Sequence, residues 1–491
     1  MYLAIIIVYT LALTIIFLYS LSQLNLLFSY LKSKKTTQKT EPKFDLENSN
    51  EIPKVTIQLP IFNELYVIER LLDNIALLDY PKEKLEIQVL DDSTDESVNT
   101  TAKKVSELKA KGLDIKHIHR SNRKGFKAGA LKDGLVEASG EFVAIFDADF
   151  LPEPDWLQKT IPYFKNPKIG VVQTRWGHIN RNYSLLTKIQ ALSLDYHFTM
   201  EQSGRNFKKH FINFNGTAGI WRTSCIEDAG NWQGDTLTED LDLSYRAQLN
   251  QWEFKYLEDV VTPAELPMIV SASRSQQFRW NKGAAENFKK TYKRVLQCKK
   301  TPWKTKLHSF FHLLNSSMFI LILLMAVLSV PVLYIKNQNP ILNLYFNITS
   351  IFALSSVIFF VNYWVSYKNI HGGGFRNFWQ YIGLFLTYFS VAMGFSLHNS
   401  IAVLEGHLGK KSDFIRTPKF NMKKLSDKWQ GNKYINKNIS KHTIFEALLM
   451  CYFAFALYSG ITMGDYGLFG FHLMLFSGFG FVFFKSVTNK M

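Results

Sequence analysis

The stretch "EFVAIFDADF", residues 141–150, decides how the soluble part of this chain folds. Phe142 to Phe146 are apolar without a break, which is the pattern of a strand buried on both faces, and two carboxylates follow where that strand ends. Working outward, "KVTIQLP" (54–60), "LEIQVLDD" (85–92), "DIKHIHR" (114–120) and "IGVVQTR" (169–175) read as further strands. Between them, "NELYVIERLLDNIALLD" (63–79) and "GFKAGALKDGLVEAS" (125–139) have the spacing of amphipathic helices. Strands alternating with helices predict an α/β fold, with a mostly parallel sheet and helices on both faces.

In open α/β sheets, ligands bind beyond the carboxyl ends of the strands. Two acidic clusters fall there: Asp91 and Asp92, and Asp147 and Asp149. Carboxylates on a shared rim repel unless something positive lies between them, and a hard divalent cation bridging a diphosphate fills that role. The plainer alternative is that each Asp starts a turn or caps a helix. Between the clusters, "HRSNRKGFKAGAL" (119–131) offers glycines for close backbone approach, and Arg123, Lys124 and Lys127 for an anion, just ahead of a helix start. Further on, "WQGDTLTEDLDLSYR" (232–246) places Glu239 and Asp240 where either can accept a proton from a hydroxyl nucleophile. Thr238 is equally placed to cap a helix beginning there.

Apolar residues crowd into the first 31 positions and return after Phe310. Residues 1–31 read as a transmembrane helix, since the run is too long for a signal-peptide core and has no charged leader. Residues 32–52 are a basic, polar linker. Apolar segments then fall at about 308–335, 342–366, 377–404, 444–460 and 466–484. The chain carries a formal charge of +16, concentrated beside these segments: Lys32, Lys34 and Lys35; Lys299, Lys300 and Lys304; Lys410 and Lys411. Such flanks follow the positive-inside bias and argue for a cytoplasmic face rather than for nucleic-acid binding. To keep the basic loop 409–442 on that face, the segment 377–408 is expected to be interfacial or re-entrant, because Ser396, His398, Asn399 and Ser400 weaken its second half. The expected division is a soluble domain over 53–270, an interfacial region over 271–306, two spans within 307–366, and a closing hairpin over 443–485. The three cysteines show no pairing pattern. Within the interfacial region, Gln276, Arg279 and Trp280 form a cluster able to grip a sugar or a phosphate.

Read in order, "QLPIFNE", "DDSTD", "HRSNRKGFKAGAL", "FDADF", "QTRW", "FNGTAGIWR", "LTEDLDLSYR" and "QQFRW" resemble the membrane-bound inverting glycosyltransferases of family 2. The likeness is to the cellulose synthase-like and glucomannan mannosyltransferase-like synthases. It implies a GT-A (Rossmann-like) nucleotide-sugar domain on the cytoplasmic side of a multi-pass helical membrane domain, in the plasma or inner membrane, or the Golgi of a eukaryote. It further implies that Asp91, Asp92, Lys127 and Asp147 bind the nucleotide sugar, that Asp147 and Asp149 hold Mg²⁺ or Mn²⁺, and that Asp240 is the general base with Glu239 beside it. Gln276, Arg279 and Trp280 are implied to bind the acceptor end and the leaving diphosphate. "DFIRTPKF" resembles a mobile gating loop through Phe414, Thr417 and Lys419, but Arg416 stands where that loop has valine. The implied partners are a UDP-glucose or GDP-mannose donor, a polysaccharide acceptor and membrane lipids, with no nucleic acid. The alternative is a transferase adding one sugar to ceramide or diacylglycerol. A phosphotransferase fits less well, because Phe150 and Leu151 follow the acid pair. A glycosidase fits less well too, given the basic glycine loop next to it.

Overall fold

The computed structural model describes residues 2–36, 52–412, 414–421, 432–435, 440 and 442–488. Most of the linker 32–52 and much of the loop 409–442 therefore lie outside the described residues.

Seven strands form one sheet: β1 (Val55–Ile61), β2 (Leu85–Asp91), β3 (Asp114–His119), β4 (Phe142–Ile145), β5 (Ile169–His178), β6 (Gly219–Arg222) and β7 (Glu253–Ala264). Their order is β3-β2-β1-β4-β6-β5-β7. β6 runs antiparallel to both β4 and β5, while the other neighbours pair in parallel. The sheet is thus mixed, and β6 and β7 belong to segments that strand-like runs did not mark. β1 and β2 are buried along almost their whole length, as strands covered on both faces must be. One layer of core packs Leu71, Trp156 and Phe164 on one side of the sheet, and another packs Leu131, Trp221 and Phe254 on the opposite side. The helix expected over 63–79 is shorter, Ile68–Ile75; the one expected over 125–139 spans Phe126–Glu137.

A single helix, Val270–Gln297, carries Gln276, Arg279 and Trp280. Gly283 lets it lie against the start of the helix Glu239–Leu249, since a Cβ there would come within 2.6 Å of Thr238 Oγ1 and 2.9 Å of its amide nitrogen. One turn on, Asn287 Nδ2 donates to Thr238 O and Oγ1 at 3.0 and 2.9 Å. Two motifs 40 residues apart in sequence are locked together this way. Thr238 holds the N-cap position, but its hydroxyl makes no capping bond, so the capping role is not the one it plays.

Among the described residues, five stretches are long and apolar enough to cross a membrane: Tyr2–Thr36, Trp303–Gln338, Pro340–His371, His442–Met463 and Phe469–Thr488. The helices Phe375–Gly394 and Ser396–Leu408 meet that test only as a pair bent by 50°, the form of a broken span or a re-entrant segment. Ser396, His398, Asn399 and Ser400 are buried just after the bend. His398 Nε2 lies 3.1 Å from the carbonyl of Arg274, whose guanidinium is held by Glu446 at 2.5 Å from each carboxylate oxygen. A buried ion pair thus ties the helix Val270–Gln297 to the helix His442–Met463.

Candidate active site

The carboxyl ends of β1, β2, β4 and β5, the turn before β6, and the helix Val270–Gln297 surround one pocket. Asp147 leaves the end of β4, and its carboxylate takes a 2.5 Å hydrogen bond from Lys127 Nζ. Lys127 also donates to the Gly216 carbonyl at 2.9 Å. Gly216 sits at φ +80°, a conformation suited to glycine, and a Cβ there would approach Asp240 Oδ2 to 3.1 Å. "FNGT" therefore brings a backbone carbonyl, the Lys127 ammonium and the Asp240 carboxylate into one small volume.

The titration of this group follows from that crowding. Burial alone pulls the Lys127 pKa down, but the Asp147 carboxylate, then Glu239 and Asp240, more than offset it and the net shift is upward. Burial pushes Asp240 up to about 7, and the neighbouring Glu239 charge adds to the rise. Glu239 is likewise raised, chiefly by burial, with Lys127 opposing. Asp240 Oδ1 accepts from the Leu241 amide at 2.8 Å, which orients the carboxyl at the head of its helix. Burial lowers Arg279 to about 10, against the pull of Asp147 and Glu239. It stays cationic at ordinary pH, a strong donor for an anion that enters the pocket.

The acidic ends of β2 behave differently from one another. Asp92 lines the pocket, but its two oxygens take a forked contact from Arg120 at 2.7 and 2.6 Å. Asp91 is fully buried behind the wall, bonded to His117 Nε2 and to the Ser93 amide, both at 2.8 Å. Arg123 lies over the Phe62 ring at 3.4 Å, and both line the pocket.

The segment 414–421 crosses the pocket. Phe414 stacks on Phe126, and the Arg279 guanidinium sits 4.4 Å from the Phe414 ring centre. Arg279 also donates to Thr417 Oγ1 at 2.9 Å. Arg416 makes a forked pair with Glu64 at 2.9 and 2.7 Å, so the residue that replaces valine ties the loop to the end of β1. Lys419 reaches Asp149 at 2.7 Å, and the amides of Phe420 and Asn421 donate to Glu265 at 2.7 and 3.0 Å. Under this cover the cavity is about 190 Å³, against the several hundred Å³ usual for ligand sites. A ligand larger than that needs this segment displaced.

Asp147 and Asp149 present hard oxygens on one rim, and Asp149 Oδ1 makes no hydrogen bond other than its ion pair with Lys419. Among the described residues no group of three His, Cys, Asp or Glu side chains converges. Two carboxylates completed by a donor's phosphate oxygens fit Mg²⁺ or Mn²⁺, which bind through few protein ligands. Glu64, Glu265 and Arg416 were not expected as site residues. Glu64 follows β1 just as Asp147 follows β4, so the same strand-end argument would have found it.

A mixed sheet with acidic strand ends, countered by a lysine and an arginine over one pocket, defines the GT-A class of nucleotide-sugar folds. The family described as "Glycosyltransferase like family 2" matches residues 53–283. Glucomannan 4-beta-mannosyltransferase 2 of Arabidopsis thaliana is 39% identical over 365 residues, covering 70% of this chain and 67% of that protein. Glucomannan 4-beta-mannosyltransferase 1 of Cyamopsis tetragonoloba is 41% identical over 314 residues, covering 60% of this chain but only 59% of that protein. The chain thus spans less than two thirds of several curated relatives. A solved mannosyltransferase from Pyrobaculum calidifontis, in complex with GDP-Man and Mn²⁺, shares the fold with a TM-score of 0.50, 21% identity, and coverage of 74% of this chain and 99% of that one. The chain belongs to the family 2 glycosyltransferases, in the cellulose synthase-like group that holds the glucomannan 4-β-mannosyltransferases.

Proposed function

We propose that this chain is a membrane-embedded inverting hexosyltransferase that moves mannose from GDP-mannose onto a growing β-1,4-linked polysaccharide and is coupled to its export. The observation that carries the reading is the meeting of Asp147, Lys127, Gly216 and Asp240 in one pocket roofed by Arg279 and Trp280. The relatives' names favour mannose over glucose, and a polymer over a lipid acceptor.

In this reaction the acceptor hydroxyl, aligned by Trp280 and Gln276, gives its proton to Asp240 as it attacks the anomeric carbon. The C–O bond to the diphosphate breaks on the opposite face, which inverts an α-linked donor to a β-glycoside. Lys127 and Arg279 meet the charge that builds on the leaving diphosphate, as preorganised cations do in a dry site. A divalent cation held by Asp147 and Asp149 would neutralise that diphosphate further. The segment 414–421 opens for the donor and recloses through Thr417 and Lys419. The lysine flanks of the apolar segments support a cytoplasmic face for this domain.

Labelled GDP-mannose, GDP-glucose and UDP-glucose offered to the reconstituted protein test the reading. We expect high-mass product from GDP-mannose. Turnover of UDP-glucose alone, or label found only in the lipid extract, would overturn it.

A further inference from the structure

β5 brings a second indole to the pocket that the reaction outlined above does not use. Trp176 and His178 lie two apart on the strand, so both side chains leave its same face, and both line the pocket. The Trp176 ring sits 6.4 Å from that of Trp280 and is inclined to it by 51°. On its other sides it meets Phe198 at 4.8 Å and Phe150 at 5.1 Å, which clamp the indole in one orientation. Its Nε1–H is buried and has no hydrogen-bond partner. Buried indole N–H groups ordinarily find one. Trp221 and Trp232 also lack a partner, but they lie inside the apolar core rather than on the pocket wall.

The neighbourhood gives this wall a direction. Phe198 follows the helix Leu185–Tyr196, which packs on the apolar helices Leu354–His371 and Phe375–Gly394. Trp176 thus joins Trp280 to a segment packed on the apolar helices. His178 is fixed at the same wall. Its Nε2 lies 3.3 Å from Asp195, which is itself gripped by Arg181 at 2.5 and 2.9 Å.

We propose that Trp176 is a positioning residue for the acceptor, stacking on the second sugar ring of the growing chain while Trp280 takes the first, with its in-plane Nε1–H donating to a hydroxyl of a neighbouring ring. This rests on the polysaccharide reading of the site. The 6.4 Å between the two indoles is close to the repeat of one sugar in a β-1,4-linked chain, so each platform meets its own ring. Held this way, the terminal hydroxyl stays aimed at Asp240 after each addition.

The probe is β-1,4-mannotetraose with the full-length protein. Trp176→Phe keeps the aromatic packing and removes only the N–H donor; Trp176→Leu removes the platform. The acceptor KM should rise roughly tenfold in the Phe variant, the size of one lost hydrogen bond, and further in the Leu variant. Both kcat and the donor KM should stay within about twofold, because the donor half is untouched. The indole N–H resonance that disappears in Trp176→Phe should shift when mannotetraose is added to the unaltered protein. An unchanged acceptor KM in both variants, or a resonance that does not move, would overturn the assignment. So would a donor KM that rises in step with the acceptor KM. No transfer to mannotetraose by the unaltered protein would instead overturn the polysaccharide reading, and the subsite with it.

Discussion

The pH dependence of transfer follows from the crowding around Asp240. Its carboxyl is held up at about 7 by burial and then by the Glu239 charge. A general base works only when deprotonated, so activity must rise with pH through that value and level off above it. The ratio kcat/KM reports ionisations of the free enzyme, the state described above. At pH 5 about one Asp240 in a hundred is ionised, so kcat/KM should lie about 100-fold below its plateau, with a slope of one on the acid limb. A carboxyl at its ordinary value of about 3.9 would be more than roughly 90% ionised at that pH and would show almost no loss. The assay is the initial rate of label transfer from GDP-mannose between pH 5 and 9, in nanodiscs. Asp240→Asn should cost about 10²–10⁴ in kcat and flatten the acid limb. Glu239→Gln should move the limb to lower pH, because it removes the neighbouring negative charge. Full activity of the unaltered protein at pH 5, or an Asn variant within tenfold of it, would refute the reasoning. Loss in Glu239→Gln with retention in Asp240→Asn would exchange the two roles.

Two further predictions rest on single contacts. Lys419→Ala should tighten Mn²⁺ binding in the absence of donor, read by the loss of free Mn²⁺ signal in spin resonance, because Lys419 covers Asp149 at 2.7 Å; Asp149→Ala should abolish that binding. Arg274→Ala leaves Glu446, whose side chain has no exposure, as an uncompensated buried charge, and should destabilise the protein by about 3–5 kcal/mol in denaturant unfolding. Arg274→Met combined with Glu446→Leu should recover most of that loss, since no charge is then left unpaired.

The sheet was legible because short apolar or alternating runs between helical patterns mark strands, and five of the seven did so. β6 and β7 were not: "GIWR" has only two apolar residues in a row and takes its strand role from pairing with β4 and β5, and "EFKYLEDVVTPA" is broken up by charges. The acid pair, Lys127, Asp240 and the Gln276-Arg279-Trp280 cluster were legible as local patterns, and the fold brings them to one pocket. The pocket's roof was only partly so. Phe414, Thr417 and Lys419 stood out by resemblance, but their partners Phe126, Arg279 and Asp149 lie more than a hundred residues away. Arg416 stood out only as a departure from the gating pattern. The fold explains it, because Glu64 waits at the end of β1. Arg274 with Glu446 and Trp176 with Trp280 are likewise long-range pairs, with no trace in local spacing.

The linkage and size of the product test the central claim most directly. The unaltered protein is incubated with GDP-mannose carrying carbon-13 at the anomeric position, and the product is read by the one-bond carbon–proton coupling at that carbon and by gel filtration. The account predicts β-linked mannose in a polymer that elutes far from the monomer. An α-linkage, or a single mannose on a lipid, would contradict it.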